Sequence, residues 1–207
     1  MTRKAAALRH LRRADPHFYT VTKPHHRSLP AYLPGKRTRA TLFAALVSIV
    51  IAQQLGTAAA DTIFARVQAA CRGRLTSLSI LKMKPATFRR AGLSGAKTKT
   101  LKAIAAAIED GSLDLLALKT IPETEAAQAL LRVWGLGPWS VAMFMMFALG
   151  REDVFSSGDL GLVRAMEVIY RLPKDSPRDT LLPIAQKWSP HRTYACLLLW
   201  KTRDTKF

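Results

Sequence analysis

Leu131-Arg-Val-Trp-Gly-Leu-Gly-Pro-Trp-Ser-Val-Ala142, an apolar run to Leu149, and then Val154-Phe-Ser-Ser-Gly-Asp-Leu-Gly-Leu-Val163 decide how this chain folds. A helical pattern ends at Trp134. Gly135 and Gly137 bracket one apolar residue, Leu136. Pro138 then opens a new helix at its first position, where the missing proline N–H costs nothing. Two glycines that close make a hairpin whose backbone another molecule can approach. The N–H groups at the start of the new helix suit a phosphate. Asp159 follows Trp139 by 20 residues and stands just before another helical pattern. The segment offers an anion-binding turn, an apolar spacer helix and a carboxylate.

Composition agrees with such a segment. The 207 residues leave room for one large domain or two small intertwined ones, and 49% of them are hydrophobic, which excludes general disorder. With 32 Lys/Arg against 14 Asp/Glu the net charge is +18, the balance of a chain that binds a polyanion, most often nucleic acid. Anionic membrane is the rival, but no apolar run reaches the roughly 18–20 residues a span needs. Met1-Thr-Arg-Lys has no apolar core behind it, so no secretory signal is expected. Cys71 and Cys196 have no metal-ligand spacing, and a cluster of iron and sulfur needs four cysteines. The expectation is a reduced, intracellular, DNA-associated protein with no cofactor and no metal.

The periodicity predicts a helix over 4–14, ended by Asp15-Pro16. Residues 17–39 read as irregular, with Pro24, Pro30, Pro34 and Gly35 among them. Residues 1–39 hold ten Lys/Arg and one acid, half of the net charge, which suits a solvated tail. His25 and His26 read as surface residues, since no third ligand is spaced to join them. A helix is expected over 41–53 and another over 58–71, capped by Thr57. Between them Gln53-Gln54-Leu55-Gly56 fits either an ordinary helix connection or a wedge that fills the gap left by a displaced base. From Thr62 to Ile108 there are ten Lys/Arg and no acid, a pattern that favours a phosphate-facing surface over a merely solvated one. Ser94 should cap a helix over 96–109 that Gly111 ends. A short helix over 113–118 and one starting with Pro122 at its first position lead into the hairpin. Helices over 160–171, 178–187 and 191–200 complete an all-α chain of about ten helices, since no segment alternates like a strand.

These blocks resemble one family. His10-Leu-Arg-Arg-Ala-Asp-Pro, Ile51-Ala-Gln-Gln-Leu, Gly92-Leu-Ser-x-x-Lys, Trp134-Gly-Leu-Gly-Pro-Trp, Gly158-Asp-Leu-Gly and Trp188-x-Pro-x-Arg-Thr-Tyr-Ala stand in the order seen in the helix-hairpin-helix (HhH-GPD) DNA glycosylases. Within them the chain looks most like the 3-methyladenine DNA glycosylase II group. The resemblance covers nearly the whole sequence. It implies a two-lobed helical unit over 1–207, with a central lobe over 38–150 and a second lobe from 1–37 and 151–207. It implies a monomer whose partner is double-stranded DNA containing damaged bases.

The resemblance also implies roles. Gly135, Leu136 and Gly137 would bind a backbone phosphate. Gln54 or Leu55 would be the wedge. Asp159 would be the catalytic carboxylate, stabilising an oxocarbenium-like sugar and orienting or deprotonating water. Position alone also fits Asp159 as the cap of the following helix, and the two roles are compatible. Trp139, Met143 and Trp188 would line the base pocket, where aromatic faces attract cationic alkylated purines. Relatives that nick DNA carry a lysine where Trp139 stands, and tryptophan cannot form their Schiff base. Met143 replaces a tyrosine of some members, which bears on substrate range. The implied activity is monofunctional excision of 3-methyladenine and 7-methylguanine type bases in base excision repair.

Two other classes stand beside this one. A non-catalytic hairpin module would bind DNA but give Asp159 no task. A basic helical scaffold would leave the glycine hairpin unexplained. A lyase-active enzyme would need a lysine beside Asp159, and sequence does not place Lys187 or Lys201 there.

Overall fold

The computed structural model describes residues 1–33, 35 and 38–204. Pro34, and with it the basic residues Lys36 and Arg37 of the N-terminal stretch, lies outside the described residues. The described residues contain twelve α-helices and no strand, so the chain is all-α with somewhat more helices than periodicity predicts. In chain order they are α1 (Arg3–Ala14), α2 (Pro16–Thr22), α3 (Arg39–Ala52), α4 (Thr57–Ala70), α5 (Ser77–Lys82) and α6 (Pro85–Ala91). Then follow α7 (Gly95–Glu109), α8 (Glu123–Leu131), α9 (Pro138–Phe144), α10 (Leu160–Tyr170), α11 (Arg178–Gln186) and α12 (Arg192–Asp204). None of them is long and apolar enough to cross a membrane.

The chain divides into two compact units, one of residues Met1–Pro34 with Gly150–Phe207 and one of Gly35–Leu149. The second unit is built on α3. Thr38 and Thr41 close a capping box at its start, and its apolar residues bury Leu42, Phe43, Leu46, Val47, Val50 and Ile51. It packs against α4, α7 and α9. α9 continues into a π-helical turn, Met145–Leu149. In the first unit α10 packs on α12, and α1 and α2 pack on each other and on α12.

Several local expectations change. The stretch expected to be irregular from His17 onward holds α2 and a 3-10 helix, Lys23–Ser28. The cause is Asp15, which ends α1 and caps α2 through the Phe18 N–H at 3.0 Å, with Pro16 in the first turn. His26 is buried rather than on the surface, against the Tyr19 ring at 4.5 Å and the Thr22 hydroxyl at 3.1 Å. Burial first, then the charges of His25, Lys23 and Lys4, keep its pKa below the ordinary value. Thr57 is the first residue of α4 and Gly56 holds the cap position. Pro122 likewise precedes α8 as its cap, with Glu123 and Glu125 in the first turn. The region expected as a helix over 113–118 is turns and a short 3-10 helix, Ala117–Lys119. There the Asp114 carboxylate accepts from the N–H groups of Leu116 and Ala117, which favours a turn over a helix.

Candidate active site

Asp159 stands in the first unit as the N-cap of α10. Its Oδ1 accepts from the Leu162 N–H at 2.9 Å and from the Trp200 indole Nε1–H at 3.1 Å. The cap comes from the end of the Ser156–Asp159 turn, closed by the Asp159 N–H on Ser156 O. The indole comes from α12. The carboxylate is half-buried, held by one main-chain donor and one rigid side-chain donor. Two such donors fix the carboxylate in place.

The loop leading into Asp159 is fastened to the start of α12. Arg192 grips Asp153 with Nε at 2.8 Å and Nη2 at 3.0 Å, and the Ser189 hydroxyl adds a third bond at 2.7 Å. Thr193 donates its N–H to Glu152 O and its hydroxyl to Arg151 O, and accepts from the Val154 N–H. Burial opposes the Asp153 charge, but the bonds from Arg192 and Ser189 and the Arg192 charge outweigh it and hold the carboxyl below the usual range.

Trp188 is corrected by the structure. It was expected to line a base pocket, but it has 0% exposure and is a core residue of the first unit. Its ring lies 4.8 Å from Phe18 and 6.0 Å from Phe155, and its Nε1–H donates to Asp15 Oδ2 at 3.2 Å. A large aromatic whose one polar atom has a buried acceptor is satisfied inside and has no face left for a ligand. Trp200 is the indole that reaches Asp159, and it was not singled out in the sequence. It lies five residues beyond the Trp188-x-Pro-x-Arg-Thr-Tyr-Ala block, one and a half helical turns along α12. The available signal was an indole N–H in an otherwise apolar helix.

The hairpin lies in the second unit. Gly135 has φ +83°, and a Cβ there would overlap the Thr100 side chain on α7. Gly137 differs. Its backbone is extended, with φ −92° and ψ 174°, and a Cβ would meet nothing within 4 Å. The fold of this unit therefore forces the first glycine and not the second. At Gly137 the missing side chain leaves open space at the start of α9, where no side chain caps the helix. Leu136 between them is buried. Trp139 is half-buried on α9, and Met143, one turn on, is buried.

The turn after α3 presents both wedge candidates outward. Gln54 is exposed with φ +56°, and Leu55 is 39% exposed. The acid-free basic run is less of an outer surface than its charge implies. Lys97 donates to the carbonyls of Ile51 and Gln53, Lys102 to that of Leu81, and Lys99 lies 4.1 Å over the Trp134 ring. Three of its ten cations thus serve the unit's own fold.

Comparison with known proteins follows the same lines. The family described as HhH-GPD superfamily base excision DNA repair protein matches residues 47–190. The chain is similar to DNA-3-methyladenine glycosylase 1 of Schizosaccharomyces pombe, with 32% identity over 160 residues that make up 76% of this chain and 70% of that protein. It is similar to a putative DNA-3-methyladenine glycosylase of Bacillus subtilis, with 33% identity over 95 residues, 46% of this chain and only 33% of that longer protein. Among solved structures it resembles the Schizosaccharomyces pombe 3-methyladenine DNA glycosylase in complex with abasic DNA, with a TM-score of 0.82, 27% identity and 97% of each chain covered.

Proposed function

Because the chain belongs to the HhH-GPD superfamily of base excision DNA repair proteins, we propose that it is a monofunctional DNA glycosylase. Its substrates are 3-methyladenine and 7-methylguanine type bases in duplex DNA. The observation that carries this reading is the held carboxylate of Asp159, capping α10 and accepting the Trp200 indole.

Each part has a physical task. A flipped nucleotide loses its stacking at a cost of a few kcal/mol, less for a weakened pair. Gln54 or Leu55 fills the vacated space. The Gly135–Gly137 turn and the start of α9 hold a backbone phosphate. The N-glycosidic bond then breaks, and its electron pair leaves with the base. Positive charge develops on the sugar, and the Asp159 carboxylate stabilises it. Water adds to the anomeric carbon, and its proton passes toward the same carboxylate. An alkylated purine carries a positive charge and leaves readily. The aromatic face of Trp139, with Met143 on the α9 turn after it, suits such a base. Trp139 stands where a nicking enzyme needs an amine, so no Schiff base forms and the abasic strand stays whole.

The test is release of free bases from methylated duplex DNA, with strands sized before and after alkali. The expected result is free 3-methyladenine or 7-methylguanine with breaks only after alkali. In Asp159→Asn the release is lost while duplex binding is retained. Tight binding with no release of any base would favour the non-catalytic module. Breaks without alkali would show lyase chemistry and defeat the monofunctional reading.

A further inference from the structure

We infer that Lys97 and Gln53 are positioning residues for base extrusion, locking the wedge turn and the phosphate-binding hairpin to one helix, α7. The inference rests on the reading of Gln54 and Leu55 as the wedge of a glycosylase.

The end of α3 leaves carbonyls that no residue of the helix can satisfy. Lys97 Nζ reaches two of the turn's acceptors, Ile51 O at 2.8 Å and Gln53 O at 2.7 Å. An ammonium placed there also meets the negative end of the helix dipole. Lys97 is partly buried, and burial draws its pKa below the ordinary lysine value. The next residue, Gln54, is left-handed at φ +56°. A residue with a side chain stays in that region where its surroundings hold it there.

The Gln53 side chain ties the same turn to the hairpin. Its Nε2 donates to the Ser140 hydroxyl at 2.8 Å and lies 3.3 Å from Gly135 O, 82 residues away in sequence. One turn along α7 from Lys97, Thr100 occupies the place a Gly135 Cβ would need. Positions three apart share a helix face. One face of α7 thus supports the wedge turn through Lys97 and the hairpin through Thr100, and Gln53 joins the two directly. A wedge displaces a base only if its own backbone does not yield. A fixed span between wedge and hairpin turns grip on a phosphate into force on the neighbouring stack. Lys97 acts inside the protein, although its place in a basic run marks it as a phosphate ligand.

The experiment compares wild type, Lys97→Met, Lys97→Arg, Gln53→Met and the wedge control Leu55→Ala. Single-turnover release of 7-methylguanine is measured opposite cytosine and opposite thymine, where the mismatch lowers the work of extrusion. Binding to undamaged duplex is followed as a function of salt, and a melting curve confirms folding. Lys97→Met is expected to lose about tenfold opposite cytosine and about threefold or less opposite thymine, and Lys97→Arg to recover most of the loss. The salt slope should stay at the wild-type value, since a cation removed from a phosphate lowers it by about one. Gln53→Met should show the same pairing-dependent loss, and it tests the clamp even if Lys97→Met does not fold. A slope reduced by about one with equal losses on both pairs would make Lys97 a phosphate ligand and overturn the inference. Wild-type rates in both variants would overturn it while leaving the glycosylase reading intact. A wild type that releases no 7-methylguanine and no 3-methyladenine would end both.

Discussion

The first unit builds the same small arrangement twice. Asp15 and Asp159 each end a preceding segment, cap the next helix through Oδ1, and accept an indole N–H. For Asp15 the indole is Trp188 at 3.2 Å, and for Asp159 it is Trp200 at 3.1 Å. Their surroundings differ. Asp15 is 6% exposed and also accepts the Tyr170 hydroxyl at 2.5 Å. Burial and this bond push the Tyr170 pKa far above its ordinary value, so Tyr170 stays a donor. Asp159 is half-buried at the start of α10. The same bonds make a closed structural knot in one place and a presented carboxylate in the other. Hydrogen bonding to the cap is common to both aspartates, and the exposure of the carboxylate is what separates them.

Substitution of the two aspartates is the strongest way to break this comparison. Asp159→Asn keeps a side-chain oxygen for the cap, so melting should shift by only a few degrees. Base release should fall by about 10²–10³-fold, the size of a lost transition-state stabiliser. Asp15→Ala should do the reverse. It removes a cap worth about 1 kcal/mol and strands two buried donors, Tyr170 and Trp188, at about 1–3 kcal/mol each, so urea unfolding should show a loss of about 3–7 kcal/mol. Release per folded molecule should stay within about twofold. A folded Asp15→Ala protein that has lost its activity would show that the division drawn between the two sites is wrong.

The two indoles sharpen it at smaller effect. Trp200→Phe keeps an aromatic face, though a smaller one, and removes one bond to a charged acceptor, worth about 1.5–3 kcal/mol in such cases. If half of that acts on the transition state, release falls about three- to twelvefold. Affinity for abasic duplex should change little. Trp188→Phe should cost about 1–3 kcal/mol of stability and leave the single-turnover rate unchanged. Equal rates for the two variants would remove Trp200 from the site.

What the sequence revealed divides along the same line. The hairpin, the position of Asp159 and the all-α fold were legible because glycine, proline and cap residues act locally, and a helix period needs only a dozen residues to show. The burial of Trp188 and Trp200 was not separable, since each is a tryptophan at the end of a helical pattern, one over 178–187 and the other over 191–200. Only the distant chain position of Asp15, 173 residues from Trp188, decides which of them is sealed inside. Lys97 stood in a quoted block, but its acceptors are main-chain carbonyls, which carry no sequence signal at all. α2 was missed because prolines and glycines farther along made the whole stretch look irregular, although Asp15-Pro16 is a sound helix start.

Asp153 supplies a third aspartate, and its role is to hold the loop ahead of Asp159. Its pKa is depressed in the folded protein, so the Arg192 clamp stabilises the fold above the unfolded carboxyl pKa of about 3.9 and loses that contribution as pH falls through the folded value. Denaturation of wild type and Asp153→Asn at a series of pH values should therefore show a gap of about 1 kcal/mol at neutral pH, modest because the pair is partly solvated. The gap should narrow only below about pH 4. A gap that persists through the acid range would mean that the asparagine is penalised by packing rather than by loss of charge. Because the clamp keeps its charge from neutral pH down to the carboxylate range, it contributes nothing to any pH dependence of base release near neutrality. A change in the neutral-pH profile on Asp153→Asn would show that the loop transmits its own charge state to the site.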